Sequence, residues 1–154
     1  MKTAIYVRTS TRDQHPQNQI IELRRYAEVQ GWEYEIFEEQ ESTRKTRPIK
    51  QDLLKRLRKR EFDSVLIWKL DRWARSLQEL VMDIDDLTNR KVGFIVLTQP
   101  IDTTSASGRL MLQILGAFAE FEREIIRERT LLGLERAKAS GKKLGRPRKK
   151  RQVS

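Results

Sequence analysis

Three clusters of polar and charged residues hold the side chains in this 154-residue chain that could do chemistry. The first cluster reads Tyr6-Val7-Arg8-Thr9-Ser10-Thr11-Arg12-Asp13-Gln14, the second spans 44–47, and the third reads Trp68-Lys69-Leu70-Asp71-Arg72-Trp73-Ala74-Arg75. Together they offer one serine hydroxyl among several guanidinium groups. Such a set is suited to in-line attack on a phosphodiester, because arginine forks bind the nonbridging oxygens and stabilise the pentacoordinate transition state.

We expect the clusters to converge at one sheet edge, and the residues that would meet there are Ser10, Arg8, Arg47, Arg72 and Arg75. Two roles are open for Asp71, which could orient one of the neighbouring arginines or act as general acid for the departing 3′ oxygen. Each cluster also has an ordinary explanation. A lone Ser10 is typical of a loop or an N-cap, and the third cluster is typical of a surface ion pair at the start of a helix.

The composition excludes several other chemistries. The chain has no cysteine and a single histidine, His15, which argues against thiolate catalysis, cysteine or histidine metal sites and a Ser–His–Asp triad. It also offers no obvious carboxylate metal box. We therefore expect no metal and no cofactor. No apolar run approaches the ~20 residues that span a bilayer, and no signal peptide is evident, so we expect no membrane association and a cytoplasmic location.

Alternating short apolar runs and amphipathic stretches predict the order βαβαβαβ over the first hundred residues. The predicted strands are Ala4–Val7, Trp32–Phe37, Ser64–Lys69 and Val92–Leu97, and the predicted helices are Gln17–Gln30, Pro48–Arg60 and a segment from Ser76 to about Arg90; Glu38–Arg47 is predicted as a loop. Such alternation predicts an α/β fold with a mostly parallel central sheet and helices on both faces. Ligands bind at the carboxyl ends of strands in such sheets, which is where the clusters after Val7 and Leu70 lie.

A long helix is predicted over 105–139, where two apolar stripes run side by side. The first stripe, with a 3.5-residue period, is Met111, Ile114, Phe118, Phe121 and Ile125, and the second is Leu112, Leu115, Ala119 and Ile126. Two interpretations are open: a wide core-facing surface on a monomer, or one stripe on the sheet domain and the other on a partner. We favour a dimerisation helix because globular helices usually run about 8–20 residues. The predicted domains are thus a catalytic core (1–104), the helix (105–139) and a basic arm (140–154).

The positive charge is concentrated at the C-terminus. The chain carries 32 basic and 22 acidic residues, and residues 136–154 hold nine of the basic ones and none of the acidic ones. The segment Gly145-Arg146-Pro147-Arg148 cannot continue a helix, and an extended arginine-bearing arm fits the minor groove of DNA. The alternative is a solvated tail that only adds solubility.

At this point the sequence resembles the catalytic domain of the small serine recombinases, the resolvase/invertase family. The matching residues are Tyr6-Val7-Arg8-Thr9-Ser10-Thr11 with Gln14 and Gln19, Arg47-Pro48, Leu70-Asp71-Arg72 with Arg75, Ala119-Glu120-Phe121-Glu122-Arg123-Glu124, and Arg127-Glu128-Arg129-Thr130. Gly145-Arg146-Pro147 resembles the family's linker to its DNA-binding domain. The resemblance covers about residues 1–148.

The resemblance implies that Ser10 attacks a DNA phosphate and forms a 5′-phosphoserine link. It implies that the phosphate is held by Arg8, Arg47, Arg72 and Arg75, that Asp71 assists, and that Gln14 and Gln19 support the site. It further implies double-stranded DNA as substrate, a homodimer on each crossover site with Glu122, Arg123 and Arg127 close to the minor groove, and a tetramer in the synaptic complex.

Two departures from the family pattern leave questions open. The loop 42–48 lacks the usual glycine and is shorter, so either Arg44 or Arg47 is the phosphate ligand. The usual helix-turn-helix domain is not found after the linker, which predicts either a shortened chain or a protein that selects its site through the arm or a partner. The alternatives to a recombinase are a non-catalytic DNA-binding dimer, such as a regulatory remnant, and a flavodoxin-like phosphatase or signalling domain.

Overall fold

The computed structural model describes residues 1–10, 16–41 and 46–145. In this part of the chain one five-stranded sheet has the order β2-β1-β3-β4-β5. Its strands are β1 (Lys2–Thr9), β2 (Glu33–Gln40), β3 (Ser64–Ile67), β4 (Gly93–Val96) and β5 (Ile101–Asp102). The first four are parallel, and β5 pairs antiparallel with β4. The predicted mostly parallel α/β fold is confirmed.

The helices that accompany the sheet are α1 (Pro16–Val29), α2 (Pro48–Arg58), α3 (Leu70–Trp73), α4 (Leu77–Asn89) and α5 (Ala106–Ala139). The chain divides into two compact units, Met1–Ala117 and Phe118–Ser154, which we describe separately. The boundary between them falls within α5. The division into catalytic core, helix and basic arm stays a prediction about function.

Both faces of the sheet are covered by helices in the first unit. On one face Ile5, Val7 and Leu66 pack with Leu23 and Ala27 of α1. The opposite face carries the larger core, which combines strand residues with side chains of α2, α3, α4 and the first turns of α5: Tyr6, Val65, Leu53, Leu57, Trp73, Ile84, Leu87, Met111, Leu112 and Leu115. The strand sequences are therefore apolar at successive positions, as expected for a sheet buried on both sides.

Strand β2 extends further than the sequence predicted. Residues 38–40 were predicted as the start of a loop because they are polar, but they pair with the end of β1, in the register Arg8 opposite Glu39. Glu39 is only 2% exposed, and its carboxylate accepts hydrogen bonds inside the protein that compensate for this burial. A buried acidic residue with internal partners cannot be distinguished from a loop residue by polarity alone.

The chain after β3 also differs from the prediction. Strand β3 ends at Ile67 rather than Lys69, and the short helix α3 begins at Leu70. Neither α3 nor the two-residue strand β5 was predicted, because segments this short show no periodicity. The predicted helix start at Ser76 is confirmed, since its Oγ accepts the Glu79 backbone N–H at 3.1 Å.

Helix α5 presents a mixed set of residues to the core. Met111 from one predicted stripe and Leu112 and Leu115 from the other pack against the larger core cluster. Ile114, from the same stripe as Met111, is 43% exposed. In the first unit the two stripes therefore do not divide cleanly into an inner and an outer face.

Candidate active site

Arg8 and Ser10 lie at the carboxyl end of β1, where the parallel sheet predicted a site. Ser10 directly follows the last residue of the strand and is half-buried. The Arg8 Nη2 donates to the Asp71 carbonyl oxygen at 3.2 Å, and its Nη1 lies 3.7 Å from Glu41 Oε1. The first and third sequence clusters thus meet through Arg8.

Of the two glutamines predicted to support the site, only Gln19 lies among the described residues. Gln19 lies on α1, half-buried, and its Oε1 is buried without a hydrogen-bond partner among the described residues. Gln14 lies outside the described residues, so its supporting role stays a prediction.

Arg47 is the buried cation of the site. It is the N-cap residue of α2 and is 7% exposed. Its Nη1 donates to the Trp73 carbonyl oxygen and lies 3.7 Å from Glu79 Oε1. Burial lowers the pKa of Arg47, and the nearby Arg8 guanidinium lowers it further. Arg44, the other candidate phosphate ligand, lies outside the described residues.

Several guanidinium donors of this site have no partner inside the described part of the protein. They are Nε and Nη2 of Arg47 and Nε of Arg8, and all three are buried. Leaving a buried donor unpaired costs roughly 1–3 kcal/mol, more if it is charged. Donors in this state gain most from an anion with several acceptor oxygens, such as a phosphate.

The remaining predicted residues belong to α3 and the segment after it. Asp71 is exposed and meets Arg8 through its carbonyl oxygen, while Arg72 is half-buried. Arg75 is exposed and, together with Arg47, lines a cleft of about 190 Å³. Beyond the effect of burial, the positive charges of Arg8 and Arg75 each lower the pKa of Arg47.

A contact between Tyr6 and Glu39 was missed by the sequence analysis. The Tyr6 hydroxyl donates to Glu39 Oε2 at 2.6 Å, and the Glu39 carboxylate also accepts the backbone N–H groups of Ile49 and Lys50 in the first turn of α2. Glu39 therefore ties β1 to the helix that begins after Arg47. Burial, followed by the hydrogen bond to Glu39, raises the pKa of Tyr6 well above its ordinary value. The sequence signal was weak: Glu39 is an acidic residue nine positions before Pro48, which begins α2.

A second unpredicted cluster contacts Arg47 through Glu79. Lys50 is 3% exposed, and its Nζ lies 2.6 Å from Glu79 Oε1, 2.8 Å from Asp83 Oδ2 and 4.7 Å from the centre of the Trp73 ring. The sequence hint was Glu79 and Asp83 at i,i+4 spacing on α4. Nothing in the sequence indicated that they pair with Lys50, which precedes Glu79 by 29 residues.

The predicted DNA-contact residues lie towards the C-terminus. Glu122, Arg123 and Arg127 are exposed on α5 in the second unit. Gly145 is the last described residue and has a φ of +114°. Arg146, Pro147 and Arg148 lie outside the described residues.

Among the described residues, no group of three or more histidine, cysteine, aspartate or glutamate side chains is arranged to hold a metal ion. No helix in the described ranges is long and apolar enough to cross a bilayer.

The chain belongs to the resolvase family: the model of the Resolvase, N terminal domain family matches residues 3–143. It is 43% identical over 145 residues to the serine recombinase Gin of Escherichia phage Mu, which covers 94% of this chain and 72% of Gin. It is 43% identical over 149 residues to the DNA-invertase Hin of Salmonella typhimurium, covering 96% of this chain and 75% of Hin. The transposon Tn917 resolvase of Enterococcus faecalis is 38% identical over 144 residues, covering 94% of this chain and 75% of the resolvase.

Solved structures show the same fold. The N-terminal catalytic domain of TP901-1 integrase is 40% identical, superposes with a TM-score of 0.72, and is matched over 81% of this chain and 98% of that one. A resolvase family site-specific recombinase from Streptococcus pneumoniae, 24% identical, shares the fold with a TM-score of 0.76 over 90% of this chain and 99% of that one.

Proposed function

We propose that this chain is the catalytic domain of a serine recombinase that cuts and rejoins DNA through a covalent link to Ser10. The observation that carries the proposal is the group of buried guanidinium donors on Arg47 and Arg8 that have no partner among the described residues, with Arg8 near the end of the strand that Ser10 follows. Relatives that are 43% identical are named a recombinase and an invertase, which supports the same reaction.

In the proposed reaction the Ser10 Oγ attacks the phosphorus of a DNA phosphodiester. The bond from phosphorus to the 3′ oxygen breaks, leaving a 5′-phosphoserine and a free 3′ hydroxyl. The serine gives up one proton and the 3′ oxygen gains one, so the step is balanced. The phosphoester bond is conserved in the intermediate, so the reverse attack can reseal the strand without another energy source.

Among the arginines, Arg47 and Arg8 would bind the nonbridging oxygens of the phosphate. The positive charges of Arg72 and Arg75 would add to the electrostatic stabilisation of the transition state. Arg47 is the proposed phosphate ligand because it is buried and two of its donors have no partner among the described residues; Arg44, which lies outside those residues, stays the alternative. Asp71 would assist at the leaving oxygen or orient an arginine, and Gln14 and Gln19 would support the site.

The proposed substrate is double-stranded DNA, and the proposed location is the cytoplasm. A homodimer through α5 would place Glu122, Arg123 and Arg127 of each protomer along the minor groove, and two dimers would form a synaptic tetramer. The basic arm around Gly145, Arg146, Pro147 and Arg148 would add contacts in the groove. Exposed aromatic residues in the second unit, Phe118 and Phe121, support a partner surface on this helix.

The test is covalent capture on DNA. The chain is incubated, with a chelator present, with radiolabelled duplexes of randomised sequence that each carry a nick, so that one cut end diffuses away and the adduct accumulates. We expect a labelled adduct that survives denaturing electrophoresis, and we expect Ser10→Ala to abolish it. Ser107→Ala, which alters an exposed serine in the first turn of α5, is the matched control and should leave the adduct.

An adduct that persists in Ser10→Ala would show that another residue is the nucleophile. If the unaltered chain binds DNA with strong salt dependence and never forms an adduct, the non-catalytic DNA-binding dimer becomes the better description.

A further inference from the structure

The cluster of Lys50, Glu79 and Asp83 lines the same cleft as the proposed phosphate ligands Arg47 and Arg75. Its charges balance with Arg47, since two cations meet two carboxylates within 4 Å. The mechanism proposed above uses Arg47 and leaves the other three without a role. Buried charges of this kind are costly unless paired, so their arrangement calls for an explanation.

Glu79 contacts both proposed phosphate ligands that border the cleft. Its Oε1 lies 3.7 Å from Arg47 Nη1, and its Oε2 accepts the backbone N–H of Arg75 at 3.0 Å. Arg47 begins α2, and Arg75 precedes α4, so these two ligands come from different elements. A single carboxylate in the first turn of α4 therefore contacts one arginine side chain, which the Trp73 carbonyl oxygen also binds, and the backbone of the other arginine.

Lys50 keeps this carboxylate in place. Its Nζ lies 2.6 Å from Glu79 Oε1 and 2.8 Å from Asp83 Oδ2, and it also rests over the buried Trp73 ring. The hydrogen bond from Arg75 and the contacts with Lys50 and Arg47 outweigh the effect of burial and hold the pKa of Glu79 below its ordinary value. Glu79 is thus charged at neutral pH.

We propose that Glu79 is a positioning residue that holds Arg47 and Arg75 in the geometry required to bind the scissile phosphate. This inference rests on the proposed function, because it assigns a role relative to that phosphate. Asp83 provides a matched comparison: it contacts Lys50 and the Trp73 Nε1–H, and it forms no ion pair or hydrogen bond with Arg47 or Arg75. Removing either carboxylate charge takes one partner from Lys50, but only Glu79 touches the two arginines.

The experiment compares the full chain with Glu79→Gln and Asp83→Asn. Thermal unfolding first establishes that both variants are folded at the assay temperature. At saturating nicked DNA we expect Glu79→Gln to slow adduct formation by about tenfold or more, since small misplacement of a phosphate ligand is enough for such a loss. Asp83→Asn should stay within about twofold of the unaltered chain, and the affinity for DNA should change little in either variant. Equal losses in the two variants would overturn the proposal.

A second readout does not depend on activity. NMR relaxation of the Arg47 Nε–H reports how rigidly that side chain is held. We expect an order parameter near the rigid value of about 0.85 in the unaltered chain and in Asp83→Asn, and below about 0.6 in Glu79→Gln. Unchanged rigidity in Glu79→Gln would also refute the role.

The two measurements separate this inference from the function on which it rests. If the unaltered chain forms no adduct but Glu79→Gln loosens Arg47, the positioning contact is real and the recombinase assignment fails. If Ser10-dependent adducts form and Glu79→Gln behaves like Asp83→Asn, the recombinase assignment stands and the role given to Glu79 is wrong.

Discussion

At the scale of single residues, the site depends on buried polar groups that are paired unequally. Glu39 receives three hydrogen bonds, from the Tyr6 hydroxyl and from two backbone N–H groups of α2. Arg47, at the beginning of the same helix, keeps two buried donors unpartnered among the described residues. The paired groups hold the local backbone, and the unpaired ones are the proposed ligands of the phosphate. The first kind of group should govern stability and the second should govern binding.

The Tyr6–Glu39 contact predicts a pH-dependent stability. In Tyr6→Phe the carboxylate loses its shortest hydrogen bond, so we expect the free energy of unfolding at neutral pH to fall by about 1–3 kcal/mol. The ordinary pKa of tyrosine is 10.0, and that of folded Tyr6 is raised well above it. The stabilisation by Tyr6 is therefore complete below pH 10 and declines at higher pH, where the unfolded phenol ionises and the folded one does not.

Urea unfolding at neutral pH and at about pH 11 measures this effect. The difference between the unaltered chain and Tyr6→Phe should narrow at the higher pH. Tyr34→Phe, which removes a phenol bonded to the exposed Glu28, is the control and should cost less at neutral pH. A constant difference across this pH range would contradict the assignment.

At the scale of elements, the beginning of α5 is fixed against β5. The Ser105 Oγ accepts the Gly108 N–H at 3.0 Å, and the Thr103 hydroxyl accepts the Phe94 N–H at 2.9 Å. A Cβ at Gly108 would lie 1.7 Å from the Asp102 carbonyl oxygen. Since that atom belongs to the backbone of β5, it cannot move aside without disturbing the sheet. Gly108 is therefore required by close approach.

We expect Gly108→Ala to destabilise the protein by about 3 kcal/mol, at the upper end of overpacking effects. Gly116→Ala is the matched control in the same helix, because its Cβ would meet Val81 at an ordinary 3.8 Å. That change should be neutral or stabilising by up to about 1 kcal/mol, since alanine favours the helix. Thermal unfolding of both variants checks this, and similar melting temperatures would show that the sheet adjusts at Gly108.

At the scale of the whole molecule, the apolar residues of the second unit have too few partners within one chain. Phe118 is 58% exposed and Phe121 is 61% exposed, and Ile126, Leu131 and Leu132 are also more than half exposed. Large exposed apolar patches mark interaction surfaces. The three-residue spacing of Phe118 and Phe121 fits the 3.5-residue repeat of a helix that packs on another helix, which supports the proposed homodimer.

We expect the double substitution of Phe118→Ser and Phe121→Ser to raise the dimer dissociation constant about 30-fold or more, because aromatic anchors dominate such interfaces. Sedimentation velocity over a range of concentrations measures it. Ile21→Ser, at an equally exposed position (59%) on α1, is the control and should leave association unchanged. If the double variant associates like the unaltered chain, the partner surface lies elsewhere.

Much of this protein is determined by its sequence alone. The pattern of the apolar residues distinguishes helices from the parallel strands, because amphipathic helices repeat every 3.6 residues whereas strands buried on both faces are short continuous apolar runs. Chain order then puts the ends of β1 and β3 at one sheet edge, so the meeting of Arg8 with the Asp71 segment could be expected. The end of α1 could likewise be predicted from Gly31, which has a φ of +68°.

Only the tertiary structure decided which polar residues are buried and with whom. Glu39, Lys50 and Glu79 are charged residues of types that usually lie at the surface. Each is paired with a group far away in the chain. Secondary-structure periodicity is a local property, whereas a buried ion pair depends on which elements pack together and at what distance. That dependence is why the sequence analysis singled out the arginines but not the carboxylates that contact them.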